Sequence, residues 1–143
     1  MYIYTIKILI GFGFLLILMS LKTKDEIGKD GEQIAVNYLV DNGYTLLNQN
    51  WRYKKKEIDI IATINNYLVV VEVKTRTLPY VVSPEKAVTK KKQKNLIKAI
   101  EKYLIQYKMN MEVRFDIITI TKSINKNTIE HIPNAFYPEV KKM

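Results

Sequence analysis

Residues 57–76 read EIDIIATINNYLVVVEVKTR, and this stretch decides the fold. Two apolar runs flank Asn65-Asn66, a pair typical of a tight turn, so the sequence predicts a β-hairpin. Its strands carry Asp59, Glu72 and Lys74 at positions where buried strands normally have apolar side chains. Burying an unpaired charge is costly, so such groups are usually paired, bound to metal or functional. The hairpin is therefore also the first place to look for a functional site.

The faces of the two strands follow from the spacing, because side chains two residues apart point to the same side of a strand. This rule predicts Glu57 and Asp59 on one face of the first strand, with Ile58 and Ile60 on the other. On the second strand, the same rule puts the acid and the lysine of Glu-x-Lys on one face. The pattern alone suggests no role for Glu57.

The rest of the chain predicts two helices and further strands around the hairpin. The expected elements are a helix at 25–42, a strand at 44–53 interrupted at 48–50, a helical region from 83 to about 108 with an interruption near Thr89 as an option, and strands at 112–121 and 128–132. Ser83-Pro84 is a typical helix start, with serine at the N-cap and proline at the first helical position. The order predicts an α/β fold, a mixed sheet flanked by helices on both sides.

Size and charge suggest one basic domain. The chain has 143 residues, with 23 Lys and Arg against 14 Asp and Glu, a net charge of +9. Such a surface favours nucleic acid or an anionic membrane as partner, although a basic protein without such a partner fits the charge alone equally well. The second helix opens with a lysine cluster suited to tracking phosphates, at Lys90, Lys91, Lys92, Lys94 and Lys98.

The missing residue types narrow the chemistry. The chain has no Cys, which excludes disulfides, thiolate nucleophiles and cysteine zinc sites, and it has a single His, His131. Neither Gly-x-Ser-x-Gly nor a phosphate-binding Gly-x-x-x-x-Gly-Lys occurs. Any catalysis therefore depends on carboxylates and lysines, with a hard ion such as Mg²⁺ or Mn²⁺ as the expected cofactor.

Residues 2–21 form an apolar segment that differs from the rest of the chain. As a helix it would be about long enough to span a membrane, and the lysines that follow would keep the next domain in the cytoplasm. A cleaved signal peptide is a poorer match, because Met19-Ser20-Leu21 is not a small-residue cleavage site. A natural start at Met19 is the third interpretation. The expected division is a hydrophobic segment at 1–23, a domain at 24–137 and a basic tail at 138–143.

The acids of the hairpin suit metal chemistry. Asp59 and Glu72, on adjacent strands, could together hold one Mg²⁺ or Mn²⁺, because these ions prefer oxygen ligands and keep several waters. A lysine on the same face as the glutamate, here Lys74, could stabilise charge that develops on a phosphate. Glu-x-Lys alone is a weak signal, but an Asp one hairpin earlier makes the set much more specific.

These residues also belong to a wider set of motifs. The set comprises Gly28-x-x-Gly31-Glu32-x-x-Ala35, Gly43-Tyr44, Asn50-Trp51-Arg52, Glu57-Ile58-Asp59, Val71-Glu72-Val73-Lys74-Thr75-Arg76, Pro84-x-x-Ala87-Val88, Lys92-Gln93, Arg114-Phe115-Asp116 and His131-Ile132-x-Asn134-Ala135-Phe136. On these motifs the chain resembles the PD-(D/E)xK nuclease superfamily, which has an αβββαβ core. It resembles more closely the YraN family of bacterial proteins, themselves similar to archaeal Holliday-junction resolvases. Two loop positions depart from the pattern, at Lys56 and at Val82-Ser83.

The resemblance implies a role for each matching position. Asp59 and Glu72 match the metal-binding acids and Lys74 the motif lysine, while Glu32 matches a further acid from the first helix. Spacing alone would make Glu32 a solvated helix position. Weaker candidates for nucleic-acid contact are Arg76, Lys92, Gln93, Lys54 and Lys55.

The implied function is metal-dependent hydrolysis of DNA, including branched DNA, by a cytoplasmic protein. Resolvase-like enzymes are commonly dimers with two-fold symmetry, so a homodimer is expected. The alternative is a DNA-binding module that keeps the nuclease fold without cutting, with attachment to the inner membrane through residues 2–21 as a further option. Asp116, inside an apolar strand, is expected to pair with a cation rather than to bind metal.

Overall fold

One five-stranded sheet with a helix on each face forms the part of the chain that the structure describes. The computed structural model describes residues 23–77, 83, 86 and 88–138. Within them the elements are α1 (Lys24–Asp41), β1 (Thr45–Tyr53), β2 (Lys56–Ile64), β3 (Tyr67–Thr77), α2 (Lys90–Gln106), β4 (Glu112–Lys122) and β5 (Thr128–Phe136). The strand order is β1-β2-β3-β4-β5, and only β3 and β4 are parallel. The predicted α/β fold with a mixed sheet is confirmed.

The two helices cover opposite faces of the sheet. The face under α1 buries Ala35 and Leu39 against side chains that include Ile60 and Val71. The other face packs under α2 and buries Ile58, Val70, Leu96, Ile100 and Phe115, among others. Helix α2 is thus the crossover that joins the parallel strands β3 and β4, as expected from the element order.

Helix α1 is bounded by two local sequence signals. At its start, Thr23 and Glu26 form a capping box, in which Oγ1 of Thr23 accepts from the Glu26 N–H at 3.2 Å. At its end, Gly43 has φ 85°, a conformation that glycine adopts without strain. The N–H groups of Gly43 and Tyr44 donate to the carbonyls of Val40 and Leu39, which makes a Schellman cap. These signals confirm the predicted helix.

Three predicted boundaries differ from the structure. Helix α2 begins at Lys90 with Thr89 as its N-cap, where an interruption of the helical region was one option, rather than at Ser83; Pro84 lies outside the described residues. The preference for a Ser-Pro start reflects only the neighbouring residues in the sequence. In the structure, Oγ1 of Thr89 caps the helix by accepting from the Lys92 N–H at 3.2 Å. Strand β1 runs through the predicted break at 48–50, and its pairing with β2 shifts register between Leu46 and Asn48. Strand β5 extends to Phe136 because it continues pairing along β4.

The predicted hydrophobic helix at residues 2–21 lies outside the described residues. Neither α1 nor α2, the helices within 23–77 and 88–138, is long and apolar enough to cross a membrane. Membrane attachment of the chain stays a prediction.

Gly31 allows α1 to approach β3 closely. A methyl group built at Gly31 would overlap Oγ1 of Thr75 and lie 3.0 Å from its Cβ, whereas one at Gly28 meets nothing within 4 Å. We expect Gly31→Ala to lower the free energy of unfolding by about 1–3 kcal/mol, because the helix must move away from the sheet. Gly28→Ala, the matched control, should raise it by up to about 1 kcal/mol through helix propensity. Urea unfolding of both variants checks this; equal effects would contradict the close approach.

Candidate active site

Asp59 lies where strands β2 and β3 separate. Their paired register ends at Ile60 and Val71, and beyond it Oδ2 of Asp59 accepts the Val73 N–H at 2.8 Å. The carboxylate thus accepts the hydrogen bond that a backbone carbonyl of a paired strand would otherwise accept. The predicted alternation is wrong here, because Ile58 packs under α2 while Ile60 packs under α1. The irregularity places the carboxylate between the two faces.

Glu72 is a buried carboxylate held by two lysines. Its side chain is only 2% exposed, and Nζ of Lys74 donates to its Oε1 at 2.7 Å. Nζ of Lys92, from the first turn of α2, lies 3.0 Å from Oε2. This second contact is an ion pair at hydrogen-bond distance, so each carboxylate oxygen of Glu72 lies against one lysine ammonium.

The electrostatics of Asp59 differ from those of an ordinary surface carboxylate. Burial, the negative charge of Glu72 and, to a smaller extent, that of Glu32 raise the pKa of Asp59 to about 7. The Val73 N–H and the charge of Lys92 act in the opposite direction. Burial on its own would lower the pKa of Lys92, but the charge of Glu72, the hydrogen bond to Glu72 and the charges of Asp59 and Glu57 outweigh it and raise that pKa. Asp59 and Lys92 therefore both respond to the charge of Glu72.

The raised pKa of Asp59 predicts a pH-dependent stability. A folded-state pKa above the unfolded value means that stability falls as pH rises from about 4 towards 7, because the buried carboxylate must then ionise. Asp59→Asn keeps an acceptor for the Val73 N–H but cannot ionise. Without divalent metal, we expect Asp59→Asn to be more stable than wild type by on the order of 2 kcal/mol at about pH 8, and by much less at about pH 5. Urea unfolding at both pH values checks this; a difference independent of pH would contradict it.

Glu32, from α1, lies at an open groove beside these residues. Nδ2 of Asn50 donates to its Oε2 at 3.0 Å. Asn50 has φ 49°, a left-handed conformation that asparagine tolerates better than most residues, and it occupies the β1 position opposite Asp59. The groove is lined by Asp25, Gly28, Lys29, Glu32, Asn50, Arg52 and Glu57. Asn50 was missed as a candidate by sequence reasoning, although the polar run 48–50 was an available signal.

Glu57, which had no predicted role, pairs with Arg52 across β1 and β2. Nη2 of Arg52 lies 3.2 Å from both carboxylate oxygens of Glu57. The two residues face each other in the strand register, and both border the groove beside Glu32. The pair thus keeps a guanidinium at the edge of the groove.

Of the residues predicted to contact nucleic acid, only some lie next to the acids of the site in the described structure. Lys92 is part of the site itself, as its ion pair with Glu72 shows. Nε2 of Gln93 donates to the Val88 carbonyl at 3.1 Å and so braces the segment before α2. Lys54 and Lys55 are exposed at the β1–β2 turn, and Arg76 is half-buried near the end of β3. Their contact with nucleic acid stays a prediction.

The donor set fits a hard divalent ion with few protein ligands. Asp59 and Glu72 supply carboxylate oxygens, the ligands that such an ion prefers, and the charge of Glu72 acts on Asp59. No group of three or more His, Cys, Asp or Glu side chains converges in the part of the chain that the structure describes. Mg²⁺ commonly binds through one or two carboxylates with waters and substrate phosphates, so two ligands are sufficient.

Asp116 belongs to a separate polar network. Its carboxylate accepts two hydrogen bonds from Arg114, at 2.9 and 2.8 Å, and lies 2.8 Å from Nε2 of His131. Nη2 of Arg114 also donates to the Tyr44 hydroxyl at 2.7 Å. Although burial raises the pKa of Asp116, the bonds from His131 and Arg114 outweigh it and lower that pKa. The prediction that Asp116 pairs with a cation is confirmed.

Fold and site together define an α/β protein whose mixed sheet presents two carboxylates beside two lysines. The model of the uncharacterised protein family UPF0102 matches residues 31–120. A UPF0102 protein of Phocaeicola vulgatus is 46% identical over 116 residues, which cover 81% of this chain and 96% of that protein. One from Flavobacterium psychrophilum is 43% identical over 113 residues, which cover 79% and 95%. The chain belongs to the UPF0102 family, the YraN family that its motifs indicated.

The matched segment contains all the residues of the candidate site, from Glu32 to Lys92. The relatives are named for the family and for no activity. The function therefore has to be argued from the chemistry of the site.

Proposed function

We propose that this protein is a divalent-metal-dependent endonuclease that hydrolyses DNA phosphodiesters, with branched DNA among its substrates. The observation that carries the proposal is the pair of neighbouring carboxylates formed by Asp59, set where two strands separate, and the buried Glu72. Asp116, by contrast, accepts two hydrogen bonds from Arg114 and its pKa is lowered, as expected of a structural acid. The basic surface of the chain adds support, because its charge suits a polyanion.

Each residue has a role that its surroundings allow. Asp59 and Glu72 would hold Mg²⁺ or Mn²⁺, which supplies a Lewis acid for the phosphate and lowers the pKa of a bound water. Lys74, one-third exposed and hydrogen-bonded to Glu72, would stabilise charge that develops on the phosphate. Glu32, oriented by Asn50 at the groove, would accept a proton from the attacking water.

A second candidate is a DNA-binding module that does not cut. It is favoured by the ion pairs of Glu72, because two lysines already balance the buried carboxylate without metal. This alternative predicts DNA binding that weakens with salt and yields no product, whatever metal is added.

A cleavage assay on the full chain separates the two candidates. Junction, flap and linear DNA would be incubated with the protein and with Mg²⁺, Mn²⁺ or chelator. We expect cleavage with either metal, none with chelator, and none from Asp59→Ala. Binding to DNA without product in either metal would favour the module; cleavage that survives Asp59→Ala would rule out this site.

A further inference from the structure

Lys92 is the one member of the lysine cluster of α2 placed against the buried acids in the described structure. The exposed members are Lys90, Lys91, Lys94 and Lys98. Lys92 lies in the first turn, where Thr89 caps the helix. Its Nζ is 3.0 Å from Oε2 of Glu72, and its side chain is about one-third exposed.

The two lysines reach Glu72 from different elements. Lys74 lies two residues along the same strand and donates to Oε1 at 2.7 Å. Lys92 comes from α2, and its Nζ lies 3.0 Å from Oε2. Because a lysine ammonium sits on a flexible four-carbon stem, Lys92 can leave this contact once another cation compensates Glu72. Oε2 is thus the oxygen of Glu72 that can change partners.

Charge favours such an exchange when a divalent ion binds. With Asp59 ionised, the two acids and the two lysines balance each other. An added ion with two positive charges at Oε2 would lie within a few ångströms of the Lys92 ammonium, where the two like charges repel. The repulsion favours movement of the ammonium away from Oε2.

We propose that Lys92 is the resident counter-ion of Glu72, which yields Oε2 to the divalent ion and then contacts a phosphate of the bound DNA. This inference rests on the proposed function and adds an order of events to it. Without metal, Lys92 compensates a buried carboxylate that would otherwise be costly. With metal, the freed ammonium lies beside the site, at the end of a helix whose other lysines are exposed.

The test is Mn²⁺ binding to the full chain without DNA, measured by calorimetry at about pH 8 so that Asp59 is ionised. We expect Lys92→Met to bind Mn²⁺ about tenfold more tightly than wild type, because a competing charge has gone. Lys92→Arg keeps the charge and should bind no more tightly than wild type. Lys102→Met removes an exposed charge from the same helix and should change the affinity less than about twofold.

The outcomes separate this inference from the function on which it rests. Equal or weaker Mn²⁺ binding by Lys92→Met, with wild type binding normally, would overturn the exchange and leave the metal site intact. Absence of Mn²⁺ binding by both proteins would overturn the exchange and the metal site together. Should Lys92→Met fail to fold, ¹⁵N spectra of lysine ammonium groups test the wild type, with the Lys92 signal assigned from Lys92→Arg. That signal is expected to lose its protection from solvent exchange when Mg²⁺ is added, and an unchanged signal would overturn the exchange.

Discussion

Lys74→Met is expected to lower the rate of DNA cleavage by about 100-fold or more, while DNA binding changes little. The reason is that Lys74 would act on charge present only in the transition state, and removing one such group typically costs about two to three orders of magnitude in rate. Methionine keeps the length of the side chain and leaves Glu72 paired with Lys92. Single-turnover cleavage and a binding titration on the same DNA check the prediction.

Lys102→Met is the matched control for Lys74→Met, because it removes one exposed positive charge on α2 away from the acids. It should retain cleavage close to that of wild type. If both variants lost cleavage equally, the effect would come from net charge rather than from the site. If Lys74→Met cleaved normally, Lys74 would have no part in the reaction.

Arg114→Met is expected to have the largest effect on stability, about 3–5 kcal/mol in the free energy of unfolding. Asp116 is 1% exposed and receives two hydrogen bonds from Arg114, so the variant leaves a buried carboxylate with only His131 and one backbone donor. The Tyr44 hydroxyl loses the same partner. Urea unfolding at neutral pH measures the loss.

Lys122→Met gives the comparison for Arg114→Met, since it removes another cation from β4. Lys122 pairs with Asp30 at 3.3 Å, in a more exposed setting. Exposed ion pairs contribute little, so the expected cost is below about 1 kcal/mol. Similar losses from both variants would show that the buried network is not special.

Asp59 and Asp116 accept the same kind of backbone hydrogen bond but differ in their surroundings. Each accepts a backbone N–H where a strand ladder is irregular, from Val73 at 2.8 Å and from Asn134 at 3.2 Å. Asp116 accepts hydrogen bonds from Arg114 and lies against His131, and its pKa is lowered. Asp59 is partly buried beside Glu72, and its pKa is raised. The charge of the neighbours therefore distinguishes a structural carboxylate from one available for chemistry.

The order of the elements could be predicted because each has a strong local signal. The hairpin has its Asn65-Asn66 turn, α1 has its caps, and the crossover follows from strand order. The start of α2 at Lys90 was left open, because Ser83-Pro84 and Thr89 are both acceptable starts in the sequence. The packing of Ile58 and Ile60 on opposite faces of the sheet also could not be predicted, since strict alternation assumes an uninterrupted ladder.

The candidate site was predictable in part. Asp59, Glu72 and Lys74 stand out in sequence because charged residues are unusual in apolar strands. The ion pair of Lys92 with Glu72 joins residues 20 positions apart in the chain through the crossover, so no spacing rule could indicate it. The pairing of Arg52 with Glu57 depends on the register of β1 and β2. That register could not be predicted, because an interruption was expected at 48–50.

The most direct test of the central claim is single-turnover cleavage of a junction DNA in Mg²⁺ by wild type and by Glu72→Gln. Glutamine keeps the shape of the buried side chain and removes the charge that would hold the ion. The account predicts products from wild type alone, with both proteins binding the DNA. Equal cleavage by the two proteins, or binding without cleavage by wild type, would contradict it.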